Sequence, residues 1–140
     1  MKVNEIMTQG AEFITTDQTI EQAAVKMKKW GIGDMPVVAG GEAIGMLTDR
    51  DITLRVVAEG LDPQTTIVND AMTGEVFACK EDDDIETAAR LMGDRRVRRL
   101  LVMKDGRKLS GMVSIGDLAK SGDKELVGEV LRKISLPAQP

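Results

Sequence analysis

Two stretches of this chain set a hydroxyl three residues ahead of a carboxylate, behind a glycine and an apolar pair: GMLTDRD at 45–51 and GMVSIGD at 111–117. Thr48 with Asp51, and Ser114 with Asp117, fit two kinds of chemistry. The first is a capping box, in which hydroxyl and carboxylate satisfy the free amides of a helix start. The second is ligand recognition. Both stretches fall where an apolar strand runs into a helix N-terminus, where unpaired N–H groups and the positive end of the dipole favour a phosphate. A carboxylate one turn into that helix can accept two hydrogen bonds from a vicinal diol, as a ribose presents. Gly45 and Gly111 would then let a base lie close to the backbone, or they mark the crowded end of a strand.

The remaining composition narrows the field. There is no histidine, which removes the usual general base, the commonest metal ligand and every Ser-His or Cys-His pairing. The acidic run EDDD (81–84) reads as a helix cap. No catalytic residue and no metal site are therefore assigned, and the chain is read as non-enzymatic; a nucleotide hydrolase is the enzyme it would otherwise be. The single cysteine, Cys79, excludes an internal disulfide, fits a reducing compartment and reads as inert packing on an apolar strand. A net charge of -4 and an aromatic content of 2% argue against specific nucleic-acid binding and against an anionic membrane surface. The N-terminal MKVNEIMTQGAEF has no long apolar run, so no signal peptide or span is expected and the location is read as cytoplasmic.

The elements that must position these residues are written twice. VNEIMT (3–8) returns as VNDAMT (68–73), and DQTIEQAAVKM (17–27) returns as DDDIETAARLM (82–92), both shifted by 65. One inserted residue then shifts GMLTDRD onto GMVSIGD by 66. In the first copy, Ile20, Ala23, Ala24 and Met27 form the stripe of an amphipathic helix. Thr19 with Gln22 caps its start and Gly31 suits its end. MPVV (35–38), the Gly40-Gly41 turn and AIGMLT (43–48) form a hairpin, followed by a helix from Asp49 to Glu59. In the second copy the stripe is Ile85, Ala88, Ala89 and Met92, weakened by Gly93. LLVM (100–103), Asp105-Gly106 and KLSGMVS (108–114) repeat the hairpin, and a helix begins near Ile115. The tail KELVGEVLRKI (124–134) aligns Leu126, Val127, Val130, Leu131 and Ile134, giving a helix packed on the body or on a second subunit and ending before Pro137. The division is thus a first repeat over 1–60, a linker over 61–67, a second repeat over 68–122 and a helix with tail over 123–140.

This tandem repeat resembles a pair of CBS domains, the regulatory modules named after cystathionine beta-synthase, and in particular the stand-alone two-copy proteins of bacteria and archaea. The resemblance rests on both Gly-h-x-Thr/Ser-x-x-Asp motifs, the starts at 4–8 and 69–73, and VRRLLVM (97–103). It implies an α/β (α+β) fold of two pseudo-symmetric β-α-β-β-α repeats packed through their sheets, with two clefts that bind AMP, ADP or ATP, and S-adenosylmethionine behind these. It also implies a homodimeric disc. Carried over, Asp51 and Asp117 would take the ribose hydroxyls, and Thr48 and Ser114 the phosphate or ribose edge. Ile14 and Thr15, and Val76 and Ala78, would contact adenine. Arg98 and Arg99 would touch phosphate, suited by the planar fork of arginine. The first copy has Gly33 and Asp34 there, so the two sites need not match.

Arg50 either reaches phosphate in the first site or points to water, and Arg95 and Arg96 read as a solvated turn. Trp30 reads as buried against the core or a dimer face. The function expected is a non-enzymatic adenosine-nucleotide sensor, of the energy-sensing kind, that acts on its own oligomer or on a separate partner protein. No cofactor is required, and magnesium would arrive only with ATP. The alternative is a structural dimerisation module with unoccupied clefts.

Overall fold

A computed structural model describes residues 1–136. The last four residues, which the sequence reading assigned to the tail, lie outside the described part. The backbone sorts into two units, one of Ala11–Val76 and one of Met1–Gly10 with the chain from Phe77 onward. We call these the first and second units.

The chain's first strand, β1 (Thr8–Gln9), belongs to the second unit; the first unit's sheet has β2 (Ile14–Thr15) parallel to β3 (Asp34–Ala39) and β3 antiparallel to β4 (Glu42–Thr48), in the order β2-β3-β4. The helix α1 (Ile20–Trp30) makes the crossover between β2 and β3. Its start is the expected capping box, with Thr19 Oγ1 accepting from Gln22 N at 3.1 Å and Gln22 Oε1 accepting from Thr19 N at 2.9 Å. Gly31 ends it at φ 63°, the left-handed conformation glycine adopts without a Cβ penalty. The second helix is shorter than the sequence suggests: α2 (Asp49–Ile52) passes into a π-helical turn over Thr53–Val57. That turn rotates Val56 fully into the core with Ile14, Ile20, Met35, Val37, Leu47 and Val68.

The second unit repeats this plan and extends it. Its sheet order is β1-β7-β6-β5, where β1 is Thr8–Gln9, β5 Ala78–Lys80, β6 Arg99–Lys104 and β7 Lys108–Ser114. Its helices are α3 (Ile85–Arg95), α4 (Ile115–Lys120) and α5 (Lys124–Ile134). The inserted residue that changes the repeat shift from 65 to 66 sits in the hairpin: Ala39 faces Glu42 across Gly40-Gly41, whereas Lys104 faces Lys108 across three residues. Both hairpins carry the same bulge, after Val37 and after Val102. The expected helix 124–134 forms and packs on its own unit, burying Val130 against α3 and α4.

The repeats and the units do not coincide. Each copy's opening hexapeptide packs with the other copy's helix and hairpin. Val3 N donates to Asp83 O at 2.9 Å, and Val68 N donates to Gln18 O at 2.8 Å; positions 18 and 83 are themselves repeat mates. Val3 is buried in the second unit's core and Val68 in the first's. Near-identical segments, VNEIMT and VNDAMT, thus make the same contacts in exchange, and the sequence contains nothing that tells which core each will enter.

Candidate functional site

The two corners where a β-strand turns into a helix hold the residues that motif spacing singles out. In the first unit, β4 ends at Thr48. Thr48 Oγ1 accepts from Asp51 N at 3.0 Å, and Asp51 Oδ2 accepts from Thr48 N at 3.0 Å. In the second unit, Ser114 Oγ accepts from Asp117 N at 3.1 Å and Asp117 Oδ2 accepts from Ser114 N at 2.9 Å. Both capping boxes are therefore formed, and each engages one oxygen of its carboxylate. Only the other oxygen, Oδ1, remains to meet a diol.

Those remaining oxygens have different surroundings. Asp51 Oδ1 lies 3.5 Å from Thr73 Oγ1 and 4.0 Å from Arg55 Nε, one helical turn on. Arg55 also donates to Ala71 O at 3.2 Å and Met72 O at 2.8 Å, which ties the exchanged segment to the corner. Among the described residues no such cation pairs with Asp117; Ser121, at the repeat position of Arg55, donates to Leu118 O instead. The amides differ as well. In the first unit Asp49 N donates to Gly33 O at 2.8 Å and Arg50 N to Asp49 Oδ1 at 2.8 Å, so the first three helical amides are all satisfied locally. In the second, Ile115 N donates to Arg98 O at 2.9 Å, while Gly116 N has no acceptor among the described residues.

The glycines are explained by protein rather than by a base. A Cβ on Gly45 would stand 2.6 Å from Thr73 O, and one on Gly111 would stand 2.1 Å from Thr8 O. Both keep the strand surface bare so that the exchanged segment can lie across it: Gln9 pairs with Gly111 in β1–β7, and Met46 bridges Thr73. The expectation that this space admits a base is corrected on that ground.

Among the other assigned residues, Arg98 and Arg99 are exposed and reach the second corner through the backbone, Arg98 by its carbonyl and Arg99 by register opposite Ser114. Arg50 is exposed beside Thr48. Ile14 is 1% exposed, so its side chain belongs to the core and only its backbone could face a ligand. Thr15 is engaged in the turn before α1, its hydroxyl donating to Asp17 Oδ1 at 2.8 Å. Ala78 pairs with Leu101 in the second unit, whereas Val76 closes the first, so that pair is divided. Trp30 is 52% exposed, not in the core. Cys79 is buried, and burial, with Asp83 nearby, pushes its thiol up to about 11. Sequence reasoning overlooked Arg55 and Thr73; the i,i+4 spacing of Asp51 and Arg55 was the available signal.

Among the described residues no three His, Cys, Asp or Glu side chains gather as a metal cage, and no helix is long and apolar enough to cross a membrane.

Comparison with known proteins gives the same two-copy arrangement. The CBS domain family model matches residues 3–58 and 68–124. The CBS domain-containing protein YhcV of Bacillus subtilis is 40% identical over 134 residues, covering 95% of this chain and 94% of its own. The crystal structure of Hypoxic Response Protein I, with two coordinated zinc ions, superposes with a TM-score of 0.77 at 29% identity, covering 86% of this chain and 98% of that one. A candidate signal-transduction protein with CBS domains from Burkholderia ambifaria gives a TM-score of 0.79 at 30% identity, covering 89% and 96%. With both copies of the repeat matched and relatives of the same length and fold, the chain belongs to the CBS domain family as a tandem pair.

Proposed function

We propose that this protein is a homodimeric, non-enzymatic regulatory module that binds an adenosine nucleotide at its strand-to-helix corners, the second unit's corner first. The observation that carries this reading is the free side of the Asp117 cap. One carboxylate oxygen and the Gly116 amide have no protein partner among the described residues, and the backbone of Arg98 and Arg99 borders the same corner. A ribose would lie on Asp117 and a phosphate toward the amide and the arginines, AMP, ADP and ATP sharing that chemistry. At the first corner the equivalent groups are already partnered by Arg55, Thr73 and Asp49, so binding there is weaker.

Thermal unfolding with AMP, ADP, ATP with magnesium, and S-adenosylmethionine tests this. A ligand at 100 times its Kd adds about 2.7 kcal/mol, which raises the midpoint by roughly 5–10 °C. Asp117→Ala removes most of that ligand-dependent rise, while Asp51→Ala removes less. The second reading, a structural module, is favoured by the commitment of both carboxylates to their own caps; absence of a shift with all four ligands would establish it.

A further inference from the structure

Arg55 and Ser121 are repeat mates, and each stands one helical turn beyond the carboxylate of its corner. The Arg55 side chain is pinned, because its Nη1 donates to Ala71 O at 3.2 Å and to Met72 O at 2.8 Å. That anchorage leaves Nε 4.0 Å from Asp51 Oδ1, the oxygen that the capping box does not use. The Asp51 side chain is only 13% exposed, so solvent screens the contact less than it would a pair of surface charges. Thr73 Oγ1 reaches the same oxygen at 3.5 Å. In the second unit Ser121 turns to Leu118 O. Thr8, the mate of Thr73, makes no hydrogen bond to Asp117 among the described residues.

We infer that Arg55 sets the ligand affinity of the first corner, as a latch over the carboxylate oxygen that a ribose needs. The inference rests on the nucleotide reading above and assigns the weakness of the first corner to one side chain. A diol that donates to Asp51 must first displace a guanidinium, and that guanidinium is held by two backbone carbonyls as well as by the carboxylate. Lifting it strips those carbonyls of their donor, a cost that binding at Asp117 does not carry. An arginine beside a nucleotide site can also serve the phosphate. That use needs a guanidinium free to turn to the ligand, and the bonds to Ala71 O and Met72 O oppose it. A serine at position 55 is too short to reach Asp51, which would leave the first corner with the open oxygen of the second.

Equilibrium dialysis of the full chain against AMP, and against ATP with magnesium, counts the sites. The wild type shows one tight site per chain and a second about tenfold weaker or more. Arg55→Ser brings the second site to within about threefold of the first. Asp51→Asn in the same background removes that gain and spares the tight site, since asparagine retains an acceptor for Thr48 N. Arg55→Lys puts a methylene in place of Nε and keeps a cation for the carbonyls of 71 and 72. It tightens the second site by about threefold, and it carries the test alone should the serine variant not fold. A second site that stays weak in Arg55→Ser, or weakens further as it would if Arg55 held phosphate, overturns the latch. Tightening in Arg55→Ser with none in Arg55→Lys overturns it too, by assigning the effect to a loosened 71–73 segment. Two equal sites in the wild type overturn the latch and leave nucleotide binding standing. A wild type that binds neither nucleotide at about 1 mM overturns the nucleotide reading itself.

Discussion

The two units are one motif built twice, and they differ most where something lies on them. Across β7 of the second unit runs β1, a full two-residue strand, held so closely that a Cβ on Gly111 would stand 2.1 Å from Thr8 O. Across β4 of the first unit runs only a single bridge at Thr73, and the corresponding clearance at Gly45 is 2.6 Å. Over α3 lies α5; among the described residues of the first unit no helix takes the corresponding place over α1. The comparison teaches that a repeated sequence fixes a frame, whereas the segments laid upon the frame decide what each copy can still bind. Its more completely packed copy is the one whose corner carboxylate is left, among the described residues, with an oxygen and a neighbouring amide unpartnered.

The largest effect should come from filling the bare strand surface. Gly111→Ala forces the backbone of β1 away, since the atom it meets is a carbonyl and not the end of a flexible side chain. The expected cost is about 3 kcal/mol, read as a lower urea midpoint with loss of amide protection at Gly10, whose N–H donates to Ser110 O. Gly45→Ala should cost less, about 2 kcal/mol. Equal costs at the two sites would show that the closer approach in the second unit has no energetic weight.

These glycines also mark where the sequence was legible and where it was not. Periodicity and capping chemistry identified α1, with its Thr19 box and its Gly31 end, because both signals are local and the helix completes them without help. The hairpins were equally plain from Gly40-Gly41 and Asp105-Gly106. The two-residue β1 was not, since so short a strand has no alternation to read, and its partner is more than a hundred residues away. The π-helical turn at Thr53–Val57 was hidden for a related reason: an apolar stripe of helical period does not say which turn is widened to bury Val56. Ala24 and Ala89 match in sequence yet differ in burial, because burial of Ala89 depends on α5, an element outside the repeat. At the corners, spacing found all four capping residues, but a capping box and a diol acceptor have the same spelling. Only the neighbours, Arg55 and Thr73 in one unit and Ser121 in the other, separate the two uses.

An intermediate effect is expected from giving α3 the surface of α1. The double substitution Gly93→Lys with Asp94→Lys places bulk under Lys133 and replaces its 3.4 Å carboxylate partner by a like charge. Freed from α3, α5 would expose Val130, and the second unit should lose about 2–3 kcal/mol. Hydrogen exchange would report this as lost protection confined to α5 and its seat, with α1 and β3 unchanged. Retained protection along α5 would mean that its apolar stripe alone holds it.

A further chemical contrast lies at Cys79, which has no counterpart in the first copy's β2. Its buried thiol, with an affinity for its proton raised to about 11 from an ordinary 9.0, is released only when the chain unfolds. Since the unfolded state ionises first, stability falls as pH rises from 9.0 towards about 11. Native protein at pH 8 should therefore react with a thiol reagent only at the rate of opening, and rapid native labelling would contradict the burial.

The smallest effect concerns the residue that follows α1 and the one that follows α3. Gly31 and Arg96 are repeat mates, and both are left-handed, at φ 63° and φ 55°. Glycine adopts that conformation freely, whereas an L side chain is strained there by about 1 kcal/mol. Gly31→Ala should accordingly cost about 1 kcal/mol in the first unit. In the second, Arg96 has interactions of its own, so a single substitution mixes the two contributions. Comparing Arg96→Gly with Arg96→Ala separates them, because both remove the same side chain and only the first relieves the backbone. Arg96→Gly should be the more stable by about 1 kcal/mol in urea unfolding. If the two unfold at the same midpoint, the left-handed turn at 96 is unstrained, and the second copy has lost nothing by replacing the glycine its twin retains.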